Sequence, residues 1–294
     1  MEFIQQIMNG LRIGSIYALV SLGYTMVYGI AKLINFAHGD IIMVGAYAAL
    51  FSVPMMVSFG LPLWLTVAPA IIICAALGML TERVAYRPLR NSPRISNLIT
   101  AIGVSLLLEN LAMKYIGSGA KSFPTIFKNA QFKLGGLTVD KGVLITLAVT
   151  LGLSILLTLF MKKTRFGKAM LATSEDYGAA SLVGINVNHT ISMTFAIGSG
   201  LAAIGSILYV AAYPQVYPLM GSMLGIKAFI AAVLGGIGIL PGAVLGGFIL
   251  GIVETLTRAY ISSQLADAIV FGILIVVLLV KPVGIMGKNV KEKV

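Results

Sequence analysis

Charge is scarce in this chain. Of its 294 residues only 11% are Asp, Glu, Lys or Arg, 58% are hydrophobic, and the mean hydropathy is +0.98. Soluble domains carry about a quarter charged residues, so this composition predicts a polytopic membrane protein. Cysteine is almost absent. Cys74 stands alone inside an apolar run, which excludes an intramolecular disulfide and argues against a thiolate metal cluster. Histidine occurs twice, at His38 and His189, too rarely to build a His-rich metal site. Catalytic signatures are lacking too. No HExxH occurs, Ile197 stands before Gly198–Ser199–Gly200 where an intramembrane serine protease needs glycine, and GIMGKN near the end has neither the spacing nor the Ser/Thr of a phosphate-binding loop. GIGILPG approaches a dinucleotide fingerprint, but Pro241 replaces its third glycine and no soluble strand precedes it.

Acidic residues number 10 against 21 basic ones, a formal charge of +11. That excess does not call for nucleic acid. The basic residues concentrate beside apolar runs, at Arg83/Arg87/Arg90/Arg94, Lys162/Lys163/Arg165/Lys168 and Lys281/Lys288/Lys291/Lys293, as the positive-inside rule expects of cytoplasmic loops. No basic region precedes the first apolar run, so no cleaved signal peptide is expected. The polar stretches are too short for separate soluble domains, which predicts one membrane domain over residues 1–294.

Apolar runs predict spans near 13–30, 41–59, 63–80, 96–116, 143–161, 190–212, 226–254 and 266–280. Arg83 to Arg94, with Pro88 and Pro93, reads as a cytoplasmic loop. Residues 117–141 read as an external loop in which FKLGGLTV can form a hairpin. YPQVYPLMGS suits the outer interface. Counting back from a cytoplasmic tail gives an external N-terminus and about nine segments, or eight if the glycine-rich stretch after 226 does not cross fully. The expectation is an all-α bundle with some broken or re-entrant segments.

Two membrane elements are interrupted, one in each half. The first breaks at Asn35–Phe36–Ala37–His38–Gly39–Asp40, the second at Gly238–Ile239–Leu240–Pro241–Gly242. Paired interruptions point to a transport pathway, since broken backbone is tolerated only where protein or water satisfies it. Asn35, Phe36, His38, Gly39, Asp40, Gly238, Pro241 and Gly242 are therefore candidate pathway residues. For His38 and Asp40 a turn at the cytoplasmic edge competes with a proton relay. The spacing of Gly238, Gly242, Gly246, Gly247 and Gly251 is equally that of close helix packing.

Glu109 lies about seven residues inside its span, roughly 10 Å deep at 1.5 Å per residue. A buried acid there needs a partner or a function. Glu254 and Arg258, one turn apart, are expected to satisfy each other.

The polar segment 162–189 separates two long apolar runs. Thr173 or Ser174 can cap a short helix there, Glu175 and Asp176 suit its first turn, and Gly184 suits a left-handed stop. Asn188 is a candidate cap for the span that follows. A capped helix of small residues between two spans reads as a docking element.

Four blocks, INFAHGD, ERVAYRPLR, SEDYGAASLVGIN and KAFIAAVLGGIGILPGAVLGGFILGIVE, together with most of the intervening chain, resemble the LivH-type permease of branched-chain amino acid ABC importers. The resemblance implies a bacterial inner-membrane permease that pairs with a homologous permease as a heterodimer. It also implies two ATPase subunits and a periplasmic substrate-binding protein. ATP would be bound by the partner subunits, with no cofactor in this chain and no metal. Residues 162–189 would be the segment that couples to the ATPase. In the general importer motif Glu-Ala-Ala is followed after three residues by Gly. Here Ala179, Ala180 and Gly184 keep that register, Gly178 replaces the glutamate, and Glu175 one turn earlier could substitute. Permeases for urea or short amides share these blocks. From the residues alone, an ion-coupled secondary amino acid transporter is the alternative class.

Overall fold

An apolar run in lipid must satisfy its own backbone, and the α-helix does so within one segment. The computed structural model describes residues 2–127, 131–134 and 137–287, and the chain is all-α. Its helices are α1 (Glu2–Ala31), α2 (His38–Ser58), α3 (Val67–Thr81), α4 (Arg94–Tyr115), α5 (Lys141–Lys163), α6 (Arg165–Glu175), α7 (Tyr177–Leu182), α8 (Val187–Ala212), α9 (Met220–Gly235), α10 (Leu240–Tyr260) and α11 (Ala266–Val280). Among the described residues, four short strands make two antiparallel pairs. β1 (Lys121–Ser122) joins β4 (Gln215–Val216), and β2 (Gln131–Leu134) joins β3 (Leu137–Asp140), the hairpin expected in the loop 117–141.

Among the described residues, seven helical stretches are long and apolar enough to cross a membrane: α1, α2, α3 with its continuation to Leu89, α4, α5, α8 and α10. α9 and α11 are shorter, with 16 and 15 residues. At 1.5 Å per residue they measure about 24 and 22 Å, under the ~30 Å hydrocarbon core. Both nonetheless run between the same two ends as their neighbours. At the inner end, where the basic clusters lie, Tyr177 before the second turn of α7 donates to the carbonyl of Ile30 in α1, and Ile285 and Met286 after α11 donate to Leu234 and Gly235 of α9. At the outer end β1 pairs with β4 just before α9, and Arg12 of α1 meets Asp140 at the start of α5 at 3.1 Å. The tail lysines Lys288, Lys291 and Lys293 lie outside the described residues.

Several boundaries differ from expectation. The stretch Arg83–Arg94 does not open as a loop at Arg83: α3 continues through a π-helical turn (Glu82–Tyr86) and a 3₁₀ turn (Arg87–Leu89), because buried Glu82 is held by cations one to two turns ahead. The first interruption falls at residues 32–37, with Lys32 at φ 55°, so His38, Gly39 and Asp40 form the first turn of α2. The second falls at 236–239, and Pro241 and Gly242 open α10, where a missing proline N–H costs no intrahelical bond. α8 is capped by Asn186, two residues before Asn188, and its side chain accepts from the amide of His189 at 3.0 Å.

α1 runs through the centre, with α10, α8, α5 and α9 packed around it. Its seam with α10 is made of small residues. A Cβ on Gly14 would sit 2.9 Å from the Gly247 carbonyl oxygen, and one on Gly10 2.8 Å from the Ile252 Cα. The glycine series on α10 serves two faces: Gly247 and Gly251 meet α1, while Gly242 and Gly246 meet Gly235 and Ala231 of α9. Close backbone approach of this kind replaces the hydrophobic drive that lipid cannot supply.

Gly14→Leu is expected to lower the thermal midpoint of the purified chain by several degrees, because overfilling a packed seam costs about 1–3 kcal/mol. Gly272→Leu on α11, where an added Cβ meets nothing within 4 Å, serves as control. Equal midpoints for the two variants in a detergent melting assay would contradict the seam.

Candidate functional site

At the inner end the segment 162–189 folds as two helices. Thr164 caps α6, its hydroxyl accepting from the Gly167 amide at 2.9 Å. The following helix is capped neither by Thr173 nor by Ser174, whose hydroxyls turn back to Ala169 and Leu171 inside α6. Asp176 is the cap: its carboxylate accepts from the Ala179 amide at 2.8 Å and starts α7. Glu175 therefore ends α6, across an extended residue from α7, and does not share a face with Ala179. The stop is as expected. Gly184 has φ 85°, and the amides of Gly184 and Ile185 bond to Ser181 and Ala180.

Burial sorts the small residues of α7. Ala180 is buried against the chain itself, while Ala179 is exposed. The outermost side chains are Leu182 at 88% and Val183 at 75% exposure. Tyr177 anchors the helix through its hydroxyl, which donates to the Ile30 carbonyl at 3.2 Å at the end of α1.

A polar network stands beside this segment. Fully buried Glu82 accepts from Arg87 at 3.2 Å, from Arg90 and from the Ser192 hydroxyl. Arg90 also donates to Asn188 at 2.6 Å, which gives Asn188 a partner in place of the capping role. Tyr86, on the π-helical turn, donates to buried Asn35 at 2.8 Å. The first interruption, the π-helical turn and the start of α8 are thereby tied into one inner assembly.

Each interruption meets the helix that runs into the other. A Cβ on Gly29, near the end of α1, would lie 3.3 Å from the Gly238 Cα, and the rings of Phe36 and Phe229 are 5.5 Å apart. Gly236 and Gly238, at φ 110° and 94°, make a turn that other residues resist. Its freed carbonyls are not left open: Leu234 and Gly235 accept from the amides of Ile285 and Met286 at 2.8 and 3.0 Å. Among the candidate pathway residues, Asn35, His38, Gly39, Asp40 and Gly242 are buried, and Gly238 and Pro241 are exposed at the inner end. Gly39 abuts Gly221 and Gly225 of α9, and the His38 ring packs against Tyr24 at 4.6 Å.

Glu109 has a partner, as its depth demanded. It is 9% exposed, the Ser222 hydroxyl donates to it, and Asp40 lies near Glu109 and Ser105. This cluster ties α2, α4 and α9 together. Asp40 was not legible as its neighbour, since nothing in spacing relates positions so far apart.

Glu254 meets Arg258 at 2.5 Å as expected, but it also accepts from Lys227 and from the Tyr17 hydroxyl, each at 2.7 Å. Lys227 in turn reaches Asp267 at 2.6 Å. Sequence reasoning passed over Lys227 and Tyr17. The available signal was a lone lysine within an apolar helix, where a central charge costs about 2.5–3.5 kcal/mol on insertion scales and so implies a partner.

The profile of the family described as "Branched-chain amino acid transport system / permease component" matches residues 6–279. The chain is similar to the high-affinity branched-chain amino acid transport system permease protein LivH of Salmonella typhimurium, 44% identical over 99% of this chain and 98% of that one. It is similar also to the corresponding permease protein BraD of Pseudomonas aeruginosa, 43% identical over 100% and 98%. A more distant likeness, 30% identical over 95% and 90%, is to the probable branched-chain amino acid transport permease protein LivH of Methanocaldococcus jannaschii. With a family match over nearly its whole length, and helices suited to the bilayer, the chain belongs to the permease components of branched-chain amino acid transport systems.

Proposed function

We propose that this chain is the membrane permease subunit of an ATP-driven importer that carries branched-chain amino acids across a bacterial inner membrane. It works with a homologous permease as a heterodimer, with two ATPase subunits and with a periplasmic substrate-binding protein. Nucleotide is bound by the ATPase subunits, and this chain supplies the passage and the docking helix, with no cofactor of its own. The observation that carries the reading is α7: a capped, sharply terminated helix that turns Leu182 and Val183 outward at the basic end of the bundle. Apolar side chains exposed beyond the lipid, on an ordered element, mark a protein contact. Seating α7 on the end of α1 gives a docked ATPase a direct hold on the central helix. The names of the more similar relatives favour branched-chain amino acids over urea or short amides.

The roles of the remaining candidates follow from this reading. Gly238 and Pro241 with Asn35 and Phe36 stand at the inner mouth of the passage, and His38, Gly39, Asp40 and Gly242 shape it through helix contacts. Glu175, Asp176, Ala179, Ala180 and Gly184 build the docking segment, Ala180 as its seat. ATP-dependent uptake of L-leucine into proteoliposomes holding the whole importer, with loaded binding protein outside, tests the function. Uptake driven by an ion gradient in this chain alone would replace it with a secondary transporter.

Two variants probe the parts. Leu182→Asp with Val183→Asp leaves the bundle folded, because both side chains are exposed. Losing apolar anchors at the centre of an interface costs about 2 kcal/mol or more, so ATPase co-purification should fall by about tenfold or more. Unchanged co-purification and coupling would remove α7 from the docking role.

Glu109→Gln tests the second part. The amide keeps shape and can still meet Ser222 beside Asp40, and ATP-driven import needs no proton carrier. Most of the uptake at neutral pH should persist. Complete loss in a normally assembled importer would make Glu109 a proton-handling group.

A further inference from the structure

At the outer end, away from both interruptions, four charges form an alternating row. Arg258 meets Glu254, Glu254 meets Lys227, and Lys227 meets Asp267, each at 2.5–2.7 Å. The two inner members, Lys227 and Glu254, are 4% and 1% exposed; the two end members, Arg258 and Asp267, are 42% and 43% exposed. The row is neutral and its interior is fully paired. Its ends are not: a guanidinium and a carboxylate of opposite sign, each with donor or acceptor capacity left over.

All four side chains line one cavity of about 200 Å³ enclosed by α1, α8, α9, α10 and α11. Its other walls are apolar or aromatic, from Tyr209, Tyr213, Tyr217, Met220, Met223 and Leu224. A wider cleft of about 350 Å³, with Gln6, Asn9 and Arg12 in its lining, adjoins the cavity and shares Ile13, Tyr213 and Arg258 with it. Both belong to the outer ends of their helices, on the side from which an importer receives its cargo.

A paired set of buried charges that served packing alone would have no need of a cavity or of half-exposed ends. The geometry points to a subsite for a small zwitterion with an apolar side chain. The ligand's carboxylate meets Arg258, its ammonium meets Asp267, and its side chain lies on the tyrosine and methionine wall. Bound so, the ligand turns an open row of alternating charges into a closed ring. Lys227, Glu254 and the Tyr17 hydroxyl hold the two end groups in place and do not touch the ligand. The size suits an amino acid, since sites for drug-sized ligands are larger, about 300–1,000 Å³. This inference deepens the proposed function, since the cargo is taken from that reading.

The test is site protection in the assembled importer. Met223→Cys places a thiol on the cavity wall at a position 44% exposed, and Tyr217→Cys supplies a second reporter; native Cys74 is buried and stays unlabelled. Labelling by a membrane-impermeant maleimide from the outer side is followed on this chain with L-leucine, isovalerate or isoamylamine present. L-Leucine at about ten times the site's Kd should slow labelling roughly tenfold by one-site occupancy. The two single-charge analogues should not, and Asp267→Asn or Arg258→Gln should abolish the protection. ATP-driven leucine uptake without any protection overturns the subsite and leaves the function standing. Equal protection by isovalerate, or protection untouched in both charge variants, overturns it as well. Protection without leucine uptake keeps the subsite and removes the importer reading.

Discussion

Lipid gives a peptide group nothing to bond to, and the arrangement of this chain follows from that constraint. Wherever a helix is interrupted, another segment arrives to take up the freed groups. The carbonyls of Leu234 and Gly235 are capped by the amides of Ile285 and Met286, which brings the carboxyl-terminal segment back under the end of α9. At the other interruption the Ile30 carbonyl near the end of α1 is taken up by the Tyr177 hydroxyl, while the Tyr86 hydroxyl bonds the Asn35 side chain and ties the π-helical turn to the first break. Each satisfied break thus becomes a tertiary joint. The joints gather at one end of the bundle because α1 ends, α9 ends and the chain re-enters there.

The same constraint explains what was legible in the sequence. Spans are long apolar runs, and long runs have few alternatives, so the helices of the bundle lie close to where composition puts them. Basic clusters fix orientation, and Gly184 fixes a helix stop because its backbone conformation is one that other residues resist. Boundaries were less legible. Thr173, Ser174, Asp176, Asn186 and Asn188 can all cap a helix, and the choice among them is made by packing that no local pattern carries. The continuation of α3 past Glu82 is of the same kind. Four arginines and two prolines within residues 83–94 read as a loop, yet a fully buried carboxylate collecting Arg87, Arg90 and Ser192 holds the start of the segment helical.

The candidate site was legible as a set of special residues and illegible as an arrangement. Glycine spacing on α10 was compatible with either packing or passage. The structure assigns both faces to packing, Gly242 and Gly246 toward α9 and Gly247 and Gly251 toward α1. Glu109 announced a partner by its depth, but its partner Ser222 and its neighbour Asp40 come from other helices. Lys227 is the instructive omission. Lying beside the glycine-rich block, it read as part of an apolar helix, whereas its charge required acids from α10 and α11 to be close by.

α1 relates the two ends. At its inner end the Ile30 carbonyl receives the Tyr177 hydroxyl of α7, and towards its outer end Tyr17 donates to Glu254 within the charged row. Between them the helix is buried on all sides, and its contact with α10 is a glycine seam in which backbone meets backbone. Where glycines let the backbones meet, no long side chain stands between them to absorb displacement, and packed interiors transmit strain. On the proposed function, a subunit docked at Leu182 and Val183 would therefore bear on a rod rather than on a hinge. The two positions where the chain does bend, at 32–37 and 236–239, lie beyond the inner ends of α1 and α9 and not within them. The bends thus lie at the basic end, and the continuous packed stretch of α1 lies between that end and the charged row.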